Sequence, residues 1–392
     1  MTRAPFLYRA FYLLAVLAVP ALNAPPASAQ LAGGEIHIGI GGPLTTGSAT
    51  FGVEMRQAVD LAVAEANAAG GVLGAKIIAD AADDAANNQQ GEAVAKSFCD
   101  AAGVLGVVGH VNSGVTIAAS KVYAGCGLAM ITPMSSNPGV TENGLANIFR
   151  ITNRDDRKGP GLAHYLIDKM GKKRAIVIDD QTAYGKGLAD AFANGFQAAG
   201  GTIVVRDAVK VGDAQFGGLI KTFPSDFDVV FFGGMREGAP ILKEMREEGV
   251  NQLFACGDGC WDVKGFIAPS QGAAGKGEGV RILSAAPALG KVPGSAEFAA
   301  TYTAKYGPIN NYAASSYDSA RVLIAAIEAA AKQKQGLPTR AEVVAALKAI
   351  HFQGIAYAKP VAWNAKGDNT GAVIFVNVVD GDHFKEIDQI GE

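Results

Sequence analysis

The chain has 392 residues, with 34 Lys and Arg against 37 Asp and Glu, a formal net charge of −3 and 49% hydrophobic residues. That length suits two domains. The mild acidity, without any Lys/Arg run, argues against nucleic acid or an anionic membrane surface as a partner.

Residues 1–29 read as a cleaved secretory leader. Arg3 and Arg9 form a basic start, Ala10 to Leu22 is apolar apart from Pro20, and Ala27-Ser28-Ala29 is a small-residue cleavage site. The alternative, a membrane anchor, needs roughly 20 apolar residues, more than this run supplies. No Cys follows the cleavage site, so a lipid anchor is not expected. The mature chain is expected to be exported and soluble.

Strands and helices then alternate. Glu35 to Ile40, Ala75 to Ala81, 104–109 and Leu128 to Thr132 read as strands. Gly52 to Ala69, Asn87 to Ala102 and 113–125 read as the helices between them. This rhythm predicts a parallel sheet covered on both faces. It repeats after a boundary near Thr152 to Asp155. Strands are expected at Arg174 to Ile178, Thr202 to Val205, Asp228 to Phe232, Leu253 to Cys256 and Val280 to Ser284. Helices are expected at Gly185 to Ala199, Gln215 to Thr222 and about Gly238 to Glu248. Ser295 to Tyr306, Tyr312 to Ala331 and Thr339 to Ile350 are consecutive helices without strands of their own, so they are expected to return to the first sheet. After Ile355 to Ala358 and a turn at Asn364 to Asp368, the strand Val373 to Val379 is expected to join the second sheet. The fold class is α/β, with two doubly wound parallel-sheet units and several crossings between them.

Export permits disulfides. Cys99 lies in one helix and Cys126 at the end of the next, which suits a bridge between neighbours. Cys256 and Cys260 bracket Gly-Asp-Gly, where a bridge would pin a tight loop. Metal binding is the alternative, but the five histidines show no ligand spacing to the thiols.

In open α/β sheets ligands bind beyond the carboxyl ends of the strands. Val111, Asn112 and Ser113 follow one such strand, and Met134, Ser135 and Ser136 the next. Phe51 lies after the first strand. Tyr184, Met235, Arg236 and Asp258 hold the corresponding places in the second unit. Ser113 and Ser136 can hydrogen-bond a carboxylate beside helix N-terminal amides, or simply cap helices. Asp258 can hold a ligand ammonium, or be a turn residue between glycines. Arg236 either enters the cleft, where it would suit an acidic or polar side chain, or points outward as a surface charge. Catalytic signatures such as Gly-x-Ser-x-Gly, the phosphate-binding loop and His-Glu-x-x-His are missing. Gly39-Ile40-Gly41-Gly42 lacks the last glycine of a dinucleotide turn. The paired acids Asp83-Asp84 and Asp155-Asp156 read as solvated turns or helix caps.

These segments together resemble the leucine/isoleucine/valine-binding family, the type I periplasmic binding proteins of branched-chain amino acid ABC transporters. The resemblance runs from about Glu35 to the C-terminus. It rests on Asn67 to Gly71, Gly109-His110 with Ser113, Thr132-Pro133 through Asn137-Pro138, Arg150, Tyr184 to Ala189, Gly233-Gly234, and Trp363-Asn364 with Lys366 to Asp368. It implies two lobes, 30–153 with 286–361 and 154–285 with 362–392, joined by three hinge strands and closing like a Venus flytrap on a ligand. By the resemblance, the residue after Gly-His, Asn112 and Ser113 line the carboxylate side. The 134–136 stretch offers a main-chain carbonyl to the ammonium and a hydroxyl to the carboxylate. Phe51 and Tyr184 are aromatic walls, and Asp258 pairs with the α-ammonium. One departure stands out. Where branched-chain binders carry an aromatic residue after Gly233-Gly234, this chain has Met235 and Arg236. With Asp at 258 rather than Glu, this resembles members that accept other small, polar or GABA-like amino acids.

The expected function is therefore a periplasmic solute-binding protein, not an enzyme. It would be a monomer without cofactor or metal, delivering an amino acid to membrane permease subunits. The alternatives are an amine-free carboxylate ligand such as an aromatic acid, which a buried Asp258 facing an uncharged group argues against, an exported enzyme, and a periplasmic sensor of the same fold.

Overall fold

The computed structural model describes residues 1–2, 33–310 and 312–390. The expected leader, beyond its first two residues, lies outside the described residues. No helix among the described residues is long and apolar enough to cross a membrane.

The first unit is built from β1 (Glu35–Gly42), α1 (Ala49–Ala68), β2 (Lys76–Asp83), α2 (Asn88–Asp100), β3 (Val104–Gly109), α3 (Ser113–Cys126), β4 (Ala129–Thr132) and β5 (Ile148–Arg150). The strands form one parallel sheet in the order β2-β1-β3-β4-β5. β3 and β4 are buried along their whole length, which is why β3 is an unbroken apolar run and β4 is apolar up to Thr132, rather than alternating.

The second unit contains α4 (Asp155–His164), β6 (Arg174–Asp179), α5 (Ala183–Ala198), β7 (Thr202–Ala208), α6 (Gly217–Ile220), β8 (Val229–Gly233), α7 (Gly238–Glu247), β9 (Leu253–Cys256) and β10 (Val280–Ser284). Its sheet has seven strands in the order β12-β11-β10-β9-β8-β6-β7. The last two come from the C-terminus, β11 (Ile374–Asp380) antiparallel to β10 and β12 (His383–Ile390) antiparallel to β11. The sheet is therefore mixed rather than wholly parallel. Its β12 edge alternates half-buried and exposed residues along Phe384 to Gln389.

Between β10 and β11 the chain returns to the first sheet with α8 (Ser295–Tyr306), α9 (Ala313–Lys334) and α10 (Arg340–Lys348). α9 packs on α1 and against β3. Gly106 makes that approach possible, since a Cβ there would lie 2.5 Å from Leu323 of α9. Ile355 to Ala358 is irregular, because Asp318 of α9 holds it. The Asp318 carboxylate accepts the Ile355 and Ala356 N–H groups at 2.8 and 2.7 Å.

The chain passes between the sheets three times, after β5, after β10 and before β11. The first and last passages are clamped together. Arg150 donates to Asp368 through Nε at 2.9 Å and Nη2 at 2.6 Å, Thr141 donates to the same carboxylate at 2.8 Å, and Arg154 adds a contact at 3.1 Å. Both Arg150 bonds converge on Oδ1 while Arg154 takes Oδ2, and this buried charge-assisted cluster ties the two passages together.

Both cysteine pairs are bonded, Cys99 to Cys126 and Cys256 to Cys260, with Cα separations of 5.9 and 6.1 Å.

Candidate functional site

The carboxyl ends of both sheets open on one cavity of about 320 Å³. From the first sheet, Phe51, Val111, Asn112, Ser113 and Met134 line it. From the second, Thr182, Tyr184, Met235 and Gly259 do so, and Tyr312 at the start of α9 closes the back. Contacts cross the cavity's rim. Asn137 Nδ2 donates to Ala183 O at 2.6 Å, and Asn112 Nδ2 approaches Met235 Sδ at 3.9 Å.

The start of α3 forms part of this wall. Asn112 occupies the N-cap position, but its side chain makes no cap hydrogen bond. It reaches instead toward Ser48 Oγ, at 3.5 Å, and Met235. Ser113, Gly114 and Val115 of the first turn therefore line the cavity with no side chain capping their amides. Such a helix end favours an anion. The start of α5, with Ala183 and Tyr184, faces the same space, but there Thr182 caps, its hydroxyl accepting the Gly185 N–H at 2.9 Å.

Asp258 sits just behind the wall and is fully buried. Its carboxylate already has three partners. Tyr184 Oη donates to Oδ1 at 2.8 Å, Tyr312 Oη donates to Oδ2 at 2.6 Å, and Lys158 Nζ forms an ion pair with Oδ2. Burial alone would push the Asp258 carboxyl up, but Lys158 and the two tyrosine hydroxyls outweigh it and hold it below its usual value. Burial and the Asp258 charge raise both tyrosines well above theirs, so they remain donors. Lys158 also lies 3.7 Å from Asp155, another fully buried acid. Burial pushes Asp155 up to about 6 despite the nearby Lys158 charge.

Seven of the expected ligand contacts line the cavity, namely Phe51, Val111, Asn112, Ser113, Met134, Tyr184 and Met235. Four do not. Ser135 is turned into the first unit, where its hydroxyl donates to Val111 O at 2.8 Å and meets Thr116 Oγ1 at 2.5 Å. Ser136 lies against the start of α4, where its main-chain carbonyl accepts the Asp155 N–H at 2.9 Å. Arg236 is exposed at the cleft mouth beside Gly47 and lines a separate surface groove. Asp258 stands in the layer behind the wall. The paired acids are not simply solvated. Asp84 is buried with its Oδ2 2.7 Å from His110 Nδ1, and Asp155 belongs to the Lys158 cluster.

The residues that the sequence reading did not assign to the site are Lys158, Asp155 and Tyr312. Asp155, Lys158 and Leu162 share one helix face at i, i+3 and i+7, a spacing visible in the sequence. The charged run Arg154 to Lys158 hid it. Among the described residues no group of three or more His, Cys, Asp or Glu could hold a metal ion.

A family model for periplasmic binding proteins matches residues 35–382. The chain belongs to the periplasmic binding protein family. Among its curated relatives is a Leu/Ile/Val-binding protein of Rhizobium johnstonii, 37% identical over 326 residues, covering 83% of this chain and 86% of that one. Among solved structures, a leucine-binding protein of Thermotoga maritima superposes with a TM-score of 0.81 at 25% identity, covering 91% of this chain and 99% of its own. A substrate-binding protein of Desulfitobacterium hafniense in complex with Leu superposes at 0.72 with 28% identity, covering 90% and 100%. The two facing sheets and the cavity between them are thus the architecture of a periplasmic binding protein. The α/β class read from the strand–helix rhythm is observed, and so is the type I fold that the resemblance implied. Lys158 on Asp258 is a feature of this chain's own site that the family likeness did not point to.

Proposed function

We propose that this protein is the solute-binding component of an ABC importer for an amino acid, aliphatic, small or GABA-like. The observation that carries the reading is the uncapped first turn of α3, with Ser113, opening on a cavity between two sheets. The solute carboxylate sits on those amides and the Ser113 hydroxyl. Phe51, Val111, Met134 and Met235 surround the apolar part of the solute. The names of the relatives, Leu/Ile/Val-binding and leucine-binding, support the amino acid class.

In this reading the lobes are 30–153 with 286–361 and 154–285 with 362–392. They close on the solute and present a joint surface to the permease subunits. The protein works as a monomer in the periplasm after removal of the leader, and it does no chemistry on what it carries. Lys158 on Asp258 favours a second reading, in which the solute is a carboxylate without an amine.

A thermal-shift screen across amino acids and organic acids tests the proposal, because a ligand bound only by the folded protein raises its melting temperature. A rise with a branched-chain or small amino acid is expected. No rise with any amino acid or carboxylate, at millimolar concentrations, would overturn it.

A further inference from the structure

The cavity wall carries no charge. Its residues are apolar, amide, hydroxyl and backbone groups, with no Asp, Glu, Lys, Arg or His among them. The uncapped start of α3 supplies positive potential for a carboxylate. The acid expected to pair with a ligand ammonium, Asp258, does not line the cavity and stands one layer behind the wall.

That partner is already engaged. The Asp258 carboxylate accepts from Tyr184, Tyr312 and Lys158. Lys158 reaches it from α4, a hundred residues away in sequence, and is itself fully buried. Oδ2 is held by Lys158 and Tyr312, so a second ammonium could take that oxygen only by displacing Lys158. The displaced lysine would keep Asp155, 3.7 Å away, as its remaining buried acid. A buried lysine stripped of its main partner is strongly disfavoured. A ligand ammonium placed beside an undisplaced Lys158 would meet a like charge.

We infer that Lys158 is a specificity-determining residue of this pocket. Its ammonium takes the place on Asp258 that a ligand ammonium would take. The pocket therefore reads the carboxylate and the side chain of its solute and does not require the α-amine. The class of ligand widens from amino acids to the matching amine-free carboxylates, α-keto acids among them. The inference rests on the solute-binding reading and sharpens it.

It also removes the objection to an amine-free ligand. A buried Asp258 facing an uncharged ligand would be costly if the acid were alone. It is not alone, because the protein supplies the counter-ion from α4.

The test is a pair of calorimetric titrations on the ligand-stripped full protein, with L-leucine and with its α-keto acid, α-ketoisocaproate. They are repeated on Lys158→Gln, which keeps most of the side-chain length and a hydrogen-bond donor but removes the charge. In the wild type the keto acid is expected to bind within about tenfold of the amino acid, or tighter. In Lys158→Gln the uncompensated Asp258 becomes available to an ammonium, and the preference is expected to move toward leucine by about tenfold or more. A ratio of affinities is not moved by a general loss of stability, and the wild-type ratio stands even where the variant fails to fold. A wild-type preference for leucine beyond about tenfold, or an unchanged ratio in a folded Lys158→Gln, would overturn the inference while leaving the solute-binding reading intact. If neither compound binds, and the wider thermal-shift screen is also silent, both fall together.

Discussion

Tyr312, at the start of α9 on the five-stranded sheet, donates its hydroxyl at 2.6 Å to Asp258, beyond β9 of the seven-stranded sheet. It is a direct polar bond between the two units at the back of the cavity. Phe51 packs on the same ring at 5.9 Å and Trp261 at 6.0 Å, each edge-on, so Tyr312 is held from both sides.

Because that bond exists only when the units are together, Tyr312→Phe is expected to weaken the closed form. A hydrogen bond to a charged group contributes roughly 1.5–3 kcal/mol. Asp258 keeps two other donors, so the low end applies, a loss of about tenfold in affinity for L-leucine. Calorimetry on wild type and variant measures it. Equal affinities would show that closure does not depend on this contact.

Replacing Asp258 acts on the fold as well as on the ligand. Asp258→Ala leaves Lys158 buried with only Asp155, at 3.7 Å. Breaking a buried pair from one side typically costs about 3–5 kcal/mol. Asp155 offsets part of this, so a loss of about 3 kcal/mol is expected. Guanidinium unfolding of both proteins gives the difference. A variant as stable as wild type would mean that Lys158 escapes to solvent.

Glu54 of α1 provides a pH test. Burial pushes its carboxyl up to about 8 from 4.5, against the opposing Tyr312 N–H, with the Asp262 charge adding to the rise. Asn310, which donates to Asp262 at 3.0 Å, lies between them. Between pH 4.5 and 8 the folded protein holds this proton and the unfolded chain does not. The stability from this group is therefore complete below 4.5 and lost as pH rises through 8. Denaturant midpoints across that window should fall more steeply for wild type than for Glu54→Gln. Parallel slopes would place the proton elsewhere.

The two disulfides should differ in weight. Cys99–Cys126 closes a separation of 27 residues, and Cys256–Cys260 one of 4. On the loop-entropy model the first contributes roughly 3–4 kcal/mol and the second about 2 kcal/mol. Serine substitution of each pair, followed by thermal unfolding, checks the order. A larger loss from the short loop would point to a role in shaping the Asp258 turn.

How much of this was legible in the sequence depended on what each segment had to bury. β3, Val104–Gly109, is apolar throughout because both its faces are covered, and its bounds could be read directly. α4 could not. Arg154 to Lys158 looks like a solvated charge run, and Gly159-Pro160-Gly161 looks like a break. The helix continues because α5 lies so close that a Cβ on Gly159 would fall 2.5 Å from the Phe192 nitrogen. Tertiary packing overrode local propensity there. β12 was missed for the opposite reason, since an edge strand with one exposed face carries few apolar residues. At the site, residue type and place after a strand were enough to bring seven contacts to the cavity wall. They could not show that Ser135 turns away, nor that a lysine from α4 reaches Asp258, because no local pattern encodes a contact across a hundred residues.

The central claim is that a small carboxylate is held at the start of α3 between the two sheets. Titration calorimetry of ligand-stripped wild type and Ser113→Ala with the best ligand from the thermal-shift screen tests it most directly. The account predicts saturable binding at a single site in the wild type, and a loss of about tenfold in the variant as one hydrogen bond to the carboxylate disappears. Binding that is unchanged in Ser113→Ala would contradict it.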